Sequence, residues 1–255
     1  MSDFVRHIYK LAVSFEKHRK YSEMNKIFNL FFILIFSISY GQEFQFAIIS
    51  DKDGSVNVRS SNNTKENNIV DKLENGFVVT HFGAEGNWIH IDYKKNGKDY
   101  NGYVYKDRVK GITDFTKLSN KKSEKGKIEI SNQRITITLA EKQFDKSKHT
   151  FKFYKTNPNQ LCQIDEKDIF GTDGNSPKSE YSFIEIKIED VKFKLPKEEI
   201  ENLYEPNLEY TNANFDEKTE TLYLHTLNGD GAGGYAVLWI INNGKVKKRI
   251  ITIPF

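Results

Sequence analysis

Turns, more than any other feature, limit what this chain can fold into. From Phe44 to Tyr105, short apolar stretches alternate with turn chemistry: Asp51-Lys52-Asp53-Gly54, Glu74-Asn75-Gly76, Gly83-Ala84-Glu85-Gly86 and Lys95-Asn96-Gly97-Lys98. Gly, Asn and Asp accept the backbone angles that tight turns need, and Asn-Gly is a strong hairpin signal. Between the turns lie Phe44–Ile49, Ile69-Val70, Phe77–Phe82, Trp88–Tyr93 and Tyr103-Val104-Tyr105. Val56 and Val58 alternate with Asn57 and Arg59, the period of a strand with one buried face. Ser60 to Asn68 is polar throughout and reads as a loop. Short strands parted by Gly turns predict a small barrel.

The rest of the chain alternates again. Lys127–Ile130, Arg134–Leu139, His149–Lys155, Tyr181–Ile188, Val191–Leu195, Leu208–Phe215, Thr221–Leu227 and Lys245–Ile253 are strand-like. Tyr235–Ile241 is apolar throughout, which predicts a strand at the centre of a sheet with both faces covered. Asn242-Asn243-Gly244 joins it to the last strand as a hairpin. Pro196-Lys197-Glu198-Glu199-Ile200 reads as a short helix start, because Pro suits the first helical turn and acids favour its positive end. Gly111–Lys127 is polar, with Lys and Ser and few large apolar residues. It reads as a linker, a place where proteases cut. The chain is therefore expected to be all-β. A small barrel over 42–110 is followed, after the linker 111–127, by a mostly antiparallel β-sandwich or curled sheet over 128–255 with one short helix.

The N-terminus asks for separate treatment. Met24-Asn25-Lys26 is a second plausible start, Ile27 to Tyr40 carries no charge, and Ser39-Tyr40-Gly41 offers small residues two apart. That is the order of a secretory signal peptide over 24–41, preceded by an N-terminal extension at 1–23. The apolar run is shorter than the ~20 residues that cross a bilayer. The alternative is an uncleaved anchor held by Arg6, Lys10, Lys17, Arg19 and Lys20. Export places the mature protein in the periplasm or outside the cell, and cleaved it is not an integral membrane protein. Residues 1–41 hold six Lys/Arg and three Asp/Glu, leaving 32 of each in the remainder. A near-neutral mature chain lacks the basic face of a nucleic-acid binder. The single cysteine, Cys162, forms no internal disulfide and reads as a small buried apolar residue.

Four ordered motifs carry a family resemblance: Val56-Asn57-Val58-Arg59-Ser60-Ser61, then Leu73-x-x-Gly76-x-x-Val79, then Trp88-Ile89-His90-Ile91, then Gly102-Tyr103-Val104. Together they resemble the bacterial SH3 (SH3b) domain over about 47–110. Two features depart from it: no Pro follows Ser60-Ser61, and Arg108-Val109 stands where the family usually has an aromatic or Leu pair. The resemblance implies an SH3-like barrel that binds and does not catalyse. In members that bind cell wall, an aromatic-lined groove holds a peptide of peptidoglycan. By that likeness Trp88, Tyr103 and Tyr105 would line the groove, with Asn57 and Arg59 as polar contacts. The other reading of the same aromatics is core or rim packing in a very small barrel. Alternation places Trp88, His90 and Asp92 opposite Ile89, Ile91 and Tyr93, and the isoleucines are the better core candidates.

Other constellations have plainer readings. Cys162 and His225 suggest a cysteine peptidase, but a nucleophilic thiol needs an activating base and an exposed helix start. Cys162 lacks that context, and His225 lies in the strand Leu222-Tyr223-Leu224-His225. Asn228-Gly229-Asp230-Gly231-Ala232-Gly233-Gly234 has one carboxylate, too few ligands for a calcium loop. It also lacks the Gly-Lys-[Ser/Thr] ending of a phosphate loop. It reads as a wide hairpin turn, or as a backbone-lined recognition loop through Asp230, Gly231, Gly233 and Gly234. His81, His90 and His149 show no metal-ligand spacing. No cofactor, metal or catalytic residue is expected. The expectation is a non-catalytic exported binding protein of the cell envelope, contacting cell-wall glycan or peptide. The alternative is an inhibitor or immunity-type protein whose partner is a secreted enzyme.

Overall fold

Asn96 and Gly97 take φ of 53° and 77°, and Asn243 and Gly244 take 51° and 68°. Two successive positive φ values make the two-residue hairpin loop whose twist matches its flanking strands. The computed structural model describes residues 43–254 apart from 66 and 230. The leader read from 1–41, and Asp230, lie outside the described residues.

The fold is all-β, as predicted. In the first sheet are β1 (Gln45–Ile49), β2 (Ser55–Arg59), β3 (Ile69–Glu74), β4 (Val78–His81), β5 (Ala84–Glu85), β6 (Trp88–Lys95), β7 (Lys98–Tyr105) and β8 (Val109–Gly111). Its order is β3-β2-β7-β6-β4-β1-β8, with β5 pairing β6. The sheet curls into a half-barrel around a core that includes Ile49, Val58, Leu73, Ile91 and Val104. Gly102 explains how β7 lies so tightly on β2. A Cβ there would sit 2.5 Å from Val58 Cγ1 and 2.7 Å from the Arg59 carbonyl oxygen, so only glycine fits. Across the half-barrel, Asp71 of β3 accepts from Tyr93 at 3.0 Å and from Lys95 at 2.6 Å, both on β6. Burial works to raise the Asp71 pKa, but the bonds from Lys95, the Lys72 amide and Tyr93 outweigh it and hold the carboxylate ionised. Arg108 pairs with the buried Asp51. A buried carboxylate needs such a partner.

Downstream come β9 (Thr116–Lys117), β10 (Asn120–Glu124), β11 (Lys127–Ser131), β12 (Ile135–Gln143), β13 (Phe151–Tyr154), β14 (Asn157–Ile164) and β15 (Lys167–Asp168). They are followed by β16 (Ser179–Ile188), β17 (Val191–Lys194), β18 (Asn212–Asp216), β19 (Thr221–Asn228), β20 (Tyr235–Asn242) and β21 (Lys245–Thr252). These form sheets of order β10-β11-β12-β16-β17, β13-β14-β15 and β21-β20-β19-β18-β9. The two five-stranded sheets face each other as a sandwich. Ile128, Ile137 and Ile186 of one pack with Leu224, Val237 and Trp239 of the other. The predicted short helix is a 3-10 turn, Lys197–Glu199, preceded by Pro196. The Trp239 indole donates to its Glu199 carbonyl at 2.8 Å.

Gly111–Lys127 is not a linker. It starts on the last residue of β8 in the half-barrel and contributes β9 to the C-terminal sheet and β10 to the facing sheet. Its few apolar residues, Ile112, Phe115 and Leu118, are all buried. Its polar content reflects strands exposed on one or both faces: every residue of β10 is exposed. Ile112 and Phe115 join Phe46 and Val78 of the half-barrel to Tyr223, Ala236 and Leu238 of the C-terminal sheet in one apolar cluster. Phe115 stacks on Tyr223 at 5.1 Å between centroids. The described residues from Phe44 onward thus form one compact unit, and the half-barrel is built onto the sandwich.

Β20 is covered on both faces, though it lies second from the edge of its sheet, not at the centre. Tyr235, Val237, Trp239 and Ile241 face the sandwich core, while Ala236 and Leu238 face the half-barrel.

Leu238 is 0 % exposed at this junction. Leu238→Ala is expected to lower stability by about 2–5 kcal/mol, in one transition seen alike by tryptophan fluorescence and far-UV circular dichroism. Limited proteolysis is expected to leave one fragment spanning 111–127. Two separate unfolding transitions would show that the halves are independent.

Candidate functional site

Alternation sorts the residues of β6. Ile89, Ile91 and Tyr93 are buried, whereas Trp88 is half-buried and His90, Asp92 and Lys94 are exposed. The outward residues meet their neighbours on β7 in register, Trp88 opposite Tyr105 and His90 opposite Tyr103. The Trp88 and Tyr105 rings stack, with centroids 4.1 Å apart and planes 24° from parallel. His90 and Tyr103 meet edge to face at 4.9 Å. Tyr103 is also paired with Arg59 of β2. Four of the side chains picked from the sequence, Arg59, Trp88, Tyr103 and Tyr105, therefore share the solvent-facing side of three adjacent strands. They form an aromatic platform with a guanidinium at its side. Asn57 lies on the same face of β2, exposed.

Sequence reasoning missed two members. His90 belongs to the platform, and the alternation that exposed Trp88 applies to it equally. Asn68 carried no signal within its polar loop. It is buried, and its Oδ1 accepts from Arg59 Nη1 at 2.7 Å. Its Nδ2 donates to Ser61 Oγ at 2.6 Å and to the Asn63 carbonyl at 3.0 Å. One amide thus closes the Ser60–Asn68 loop and orients the guanidinium.

The glycines of the 228–234 loop have a packing role. A Cβ on Gly233 would lie 2.5 to 2.8 Å from backbone atoms of Thr172, and one on Gly229 would lie 2.6 Å from the Gly233 carbonyl. Gly231 turns the chain at φ 46°, and the Gly234 amide donates to its carbonyl at 3.2 Å. The loop closes on Thr172.

Cys162 and His225 are not brought together. Cys162 lies on β14 in the three-stranded sheet, half-buried and not in the core. Its thiol donates to the Lys152 carbonyl at 3.2 Å. The inward positions of that strand belong to Leu161 and Ile164. His225 lies on β19, with Nε2 at 3.2 Å from Asn214 Oδ1. Asn214 Nδ2 donates to the Phe115 carbonyl, so the ring is the donor and Nε2 carries the proton. His149, scattered in the sequence, sits 2.6 Å from Asp165 across the β13–β14 hairpin. Among the described residues no three His, Cys, Asp or Glu side chains converge as a metal would require, and no helix is long and apolar enough to cross a membrane. The chain matches no known family, no curated protein and no solved structure.

Two measurements check this geometry. Ile91, 0 % exposed, is expected to cost about 2–5 kcal/mol of stability when changed to Ala. Trp88→Ala should cost only the stack, about 0.5–1.5 kcal/mol. The reverse order in urea melts would make Trp88 a core residue. The second measurement is pH dependence. Burial, aided by Lys117, lowers the His225 pKa from 6.5 to about 4. Burial also lowers His81, against an opposing pull from Asp114. The unfolded chain binds these protons below its ordinary histidine pKa, and the folded chain does not. Stability is therefore full above about pH 6.5 and falls by roughly 2–3 kcal/mol as pH drops toward 4. His225→Gln should flatten most of that slope.

Proposed function

We propose that this protein is a non-catalytic, exported binding protein of the cell envelope that contacts peptidoglycan through the outer face of β2, β6 and β7. One observation carries the reading: Trp88 stacked on Tyr105, beside His90, Tyr103 and Arg59, on the outward face of β2, β6 and β7, where His90 is exposed among the described residues. Stacked aromatic rings offer large contact area at low entropic cost, with polar tips for orientation. Arg59, Trp88, His90 and Tyr103 lie in the motifs that carry the SH3b resemblance, and the leader-like segment 24–41 supports export. A second reading, an inhibitor of a secreted enzyme, draws on Phe153 and Tyr154, 46 % and 50 % exposed on the edge strand β13. An open edge with aromatic side chains suits strand addition by a protein partner.

Sedimentation with insoluble peptidoglycan tests the first reading. The intact protein is expected to co-sediment, and Trp88→Ala to weaken retention at least tenfold, since truncating a buried aromatic anchor costs about 2 kcal/mol or more. Equal retention of the variant would remove the platform from the site. Absence of wall binding with recovery of a stoichiometric protein partner would favour the second reading.

A further inference from the structure

The outer face of the β6–β7 ribbon continues past the aromatic stack. The register pairs Trp88 with Tyr105, His90 with Tyr103, Asp92 with Asn101 and Lys94 with Asp99. Residues two apart on a strand share a face, so these pairs form one ladder about 20 Å long. Its far end opens into a cleft of about 280 Å³. Asp92, Lys94 and Asp99 line one side of the cleft, Val78 and Thr80 of β4 lie beside them, and Ile250 and Thr252 of β21 form the opposite wall.

Two features of the cleft favour an extended peptide. Β21 is an edge strand, paired to β20 alone, and β4 meets β6 at a single pair, Thr80 with Asp92. Among the described residues the outer edge of β21 carries no sheet partner, the situation in which a peptide adds as a strand. Charge gives the track a direction. Arg59 stands at the platform end, and the carboxylates of Asp92 and Asp99 stand at the cleft end, Asp99 with Lys94 at 3.6 Å in an exposed pair. A carboxylate on the ligand belongs beside Arg59 and an amine beside the aspartates.

We propose that the ligand of the platform is an extended peptide carrying a carboxylate and an amine, which runs along the β6–β7 face into the cleft and uses the C-terminal edge strand as its second wall. This rests on the platform reading above and adds to it: one wall of the contact surface, Ile250 to Thr252, comes from a sheet outside the half-barrel.

The probe is a set of peptidoglycan peptides freed of glycan by an amidase, titrated against the whole protein and read by tryptophan fluorescence. Of the two tryptophans, Trp239 is 0 % exposed and serves as a constant background for Trp88. Thr252→Arg narrows the cleft from the β21 side, and Asp92→Asn with Asp99→Asn removes its carboxylates and leaves Lys94. Both variants should keep the wild-type thermal midpoint and lose at least tenfold in affinity. Wild-type affinity in both, with binding lost in Trp88→Ala when read by titration calorimetry, which needs no tryptophan reporter, would overturn the track and leave the platform. Equal binding of peptide-free glycan strands would overturn the peptide assignment. Absence of any binding by the wild type would overturn the platform reading and the track with it.

Discussion

A strand that is apolar on both faces cannot end at a single layer. Β20 forces this on the whole molecule. Tyr235, Val237, Trp239 and Ile241 need cover on one side, and Ala236 and Leu238 on the other. The facing five-stranded sheet supplies the first cover. The second comes from the outer surface of the half-barrel, which contributes Phe46 and Val78. At about 25 cal/mol per Å² of apolar surface removed from water, exposing either face would be a serious loss for a domain whose net stability is only about 5–15 kcal/mol. The half-barrel is therefore a structural layer as well as the carrier of the platform.

That arrangement decides which faces remain open. The β1–β4 side of the half-barrel is committed to the junction with the sandwich. The β6–β7–β2 side points to solvent, and its outward residues are aromatic and polar where Phe46 of β1 and Val78 of β4 are apolar. The segment from Val109 to Glu124 holds the layers together by giving one strand to each of three sheets. Asn214 ties it further by donating to the Phe115 carbonyl while accepting from the neutral His225 ring. Protonating that ring would leave a charge in a buried contact beside Lys117, which is why its pKa falls.

Much of the platform was legible because strand alternation is a local rule. Once Ile89 and Ile91 are inward, Trp88 and His90 are outward, and the Asn96-Gly97 hairpin fixes which residues of β7 stand opposite them. Gly102 was visible as part of a motif, but its reason was not: the contact with Val58 and Arg59 joins residues far apart in the chain. Asn68 was hidden for the same reason, since its partners are set by how a polar loop closes. Cys162 was misplaced because the strand that holds it begins with Asn157-Pro158-Asn159 and gives no apolar period to show which side faces inward.

The sequence by itself determined the all-β class, both Asn-Gly hairpins, the two-faced burial of Tyr235–Ile241 and the outward face of β6. Each of these depends on backbone angles or on a period of two, and both are properties of neighbouring residues. Tertiary structure alone decided the fate of 111–127, the joining of half-barrel to sandwich, the packing role of Gly229 and Gly233, and the cleft beside β21. Those features come from surfaces meeting across long sequence separations. A polar segment such as Asn120–Glu124 looks the same whether it floats in solvent or hydrogen-bonds as an exposed edge strand, because backbone pairing leaves no mark on side-chain composition.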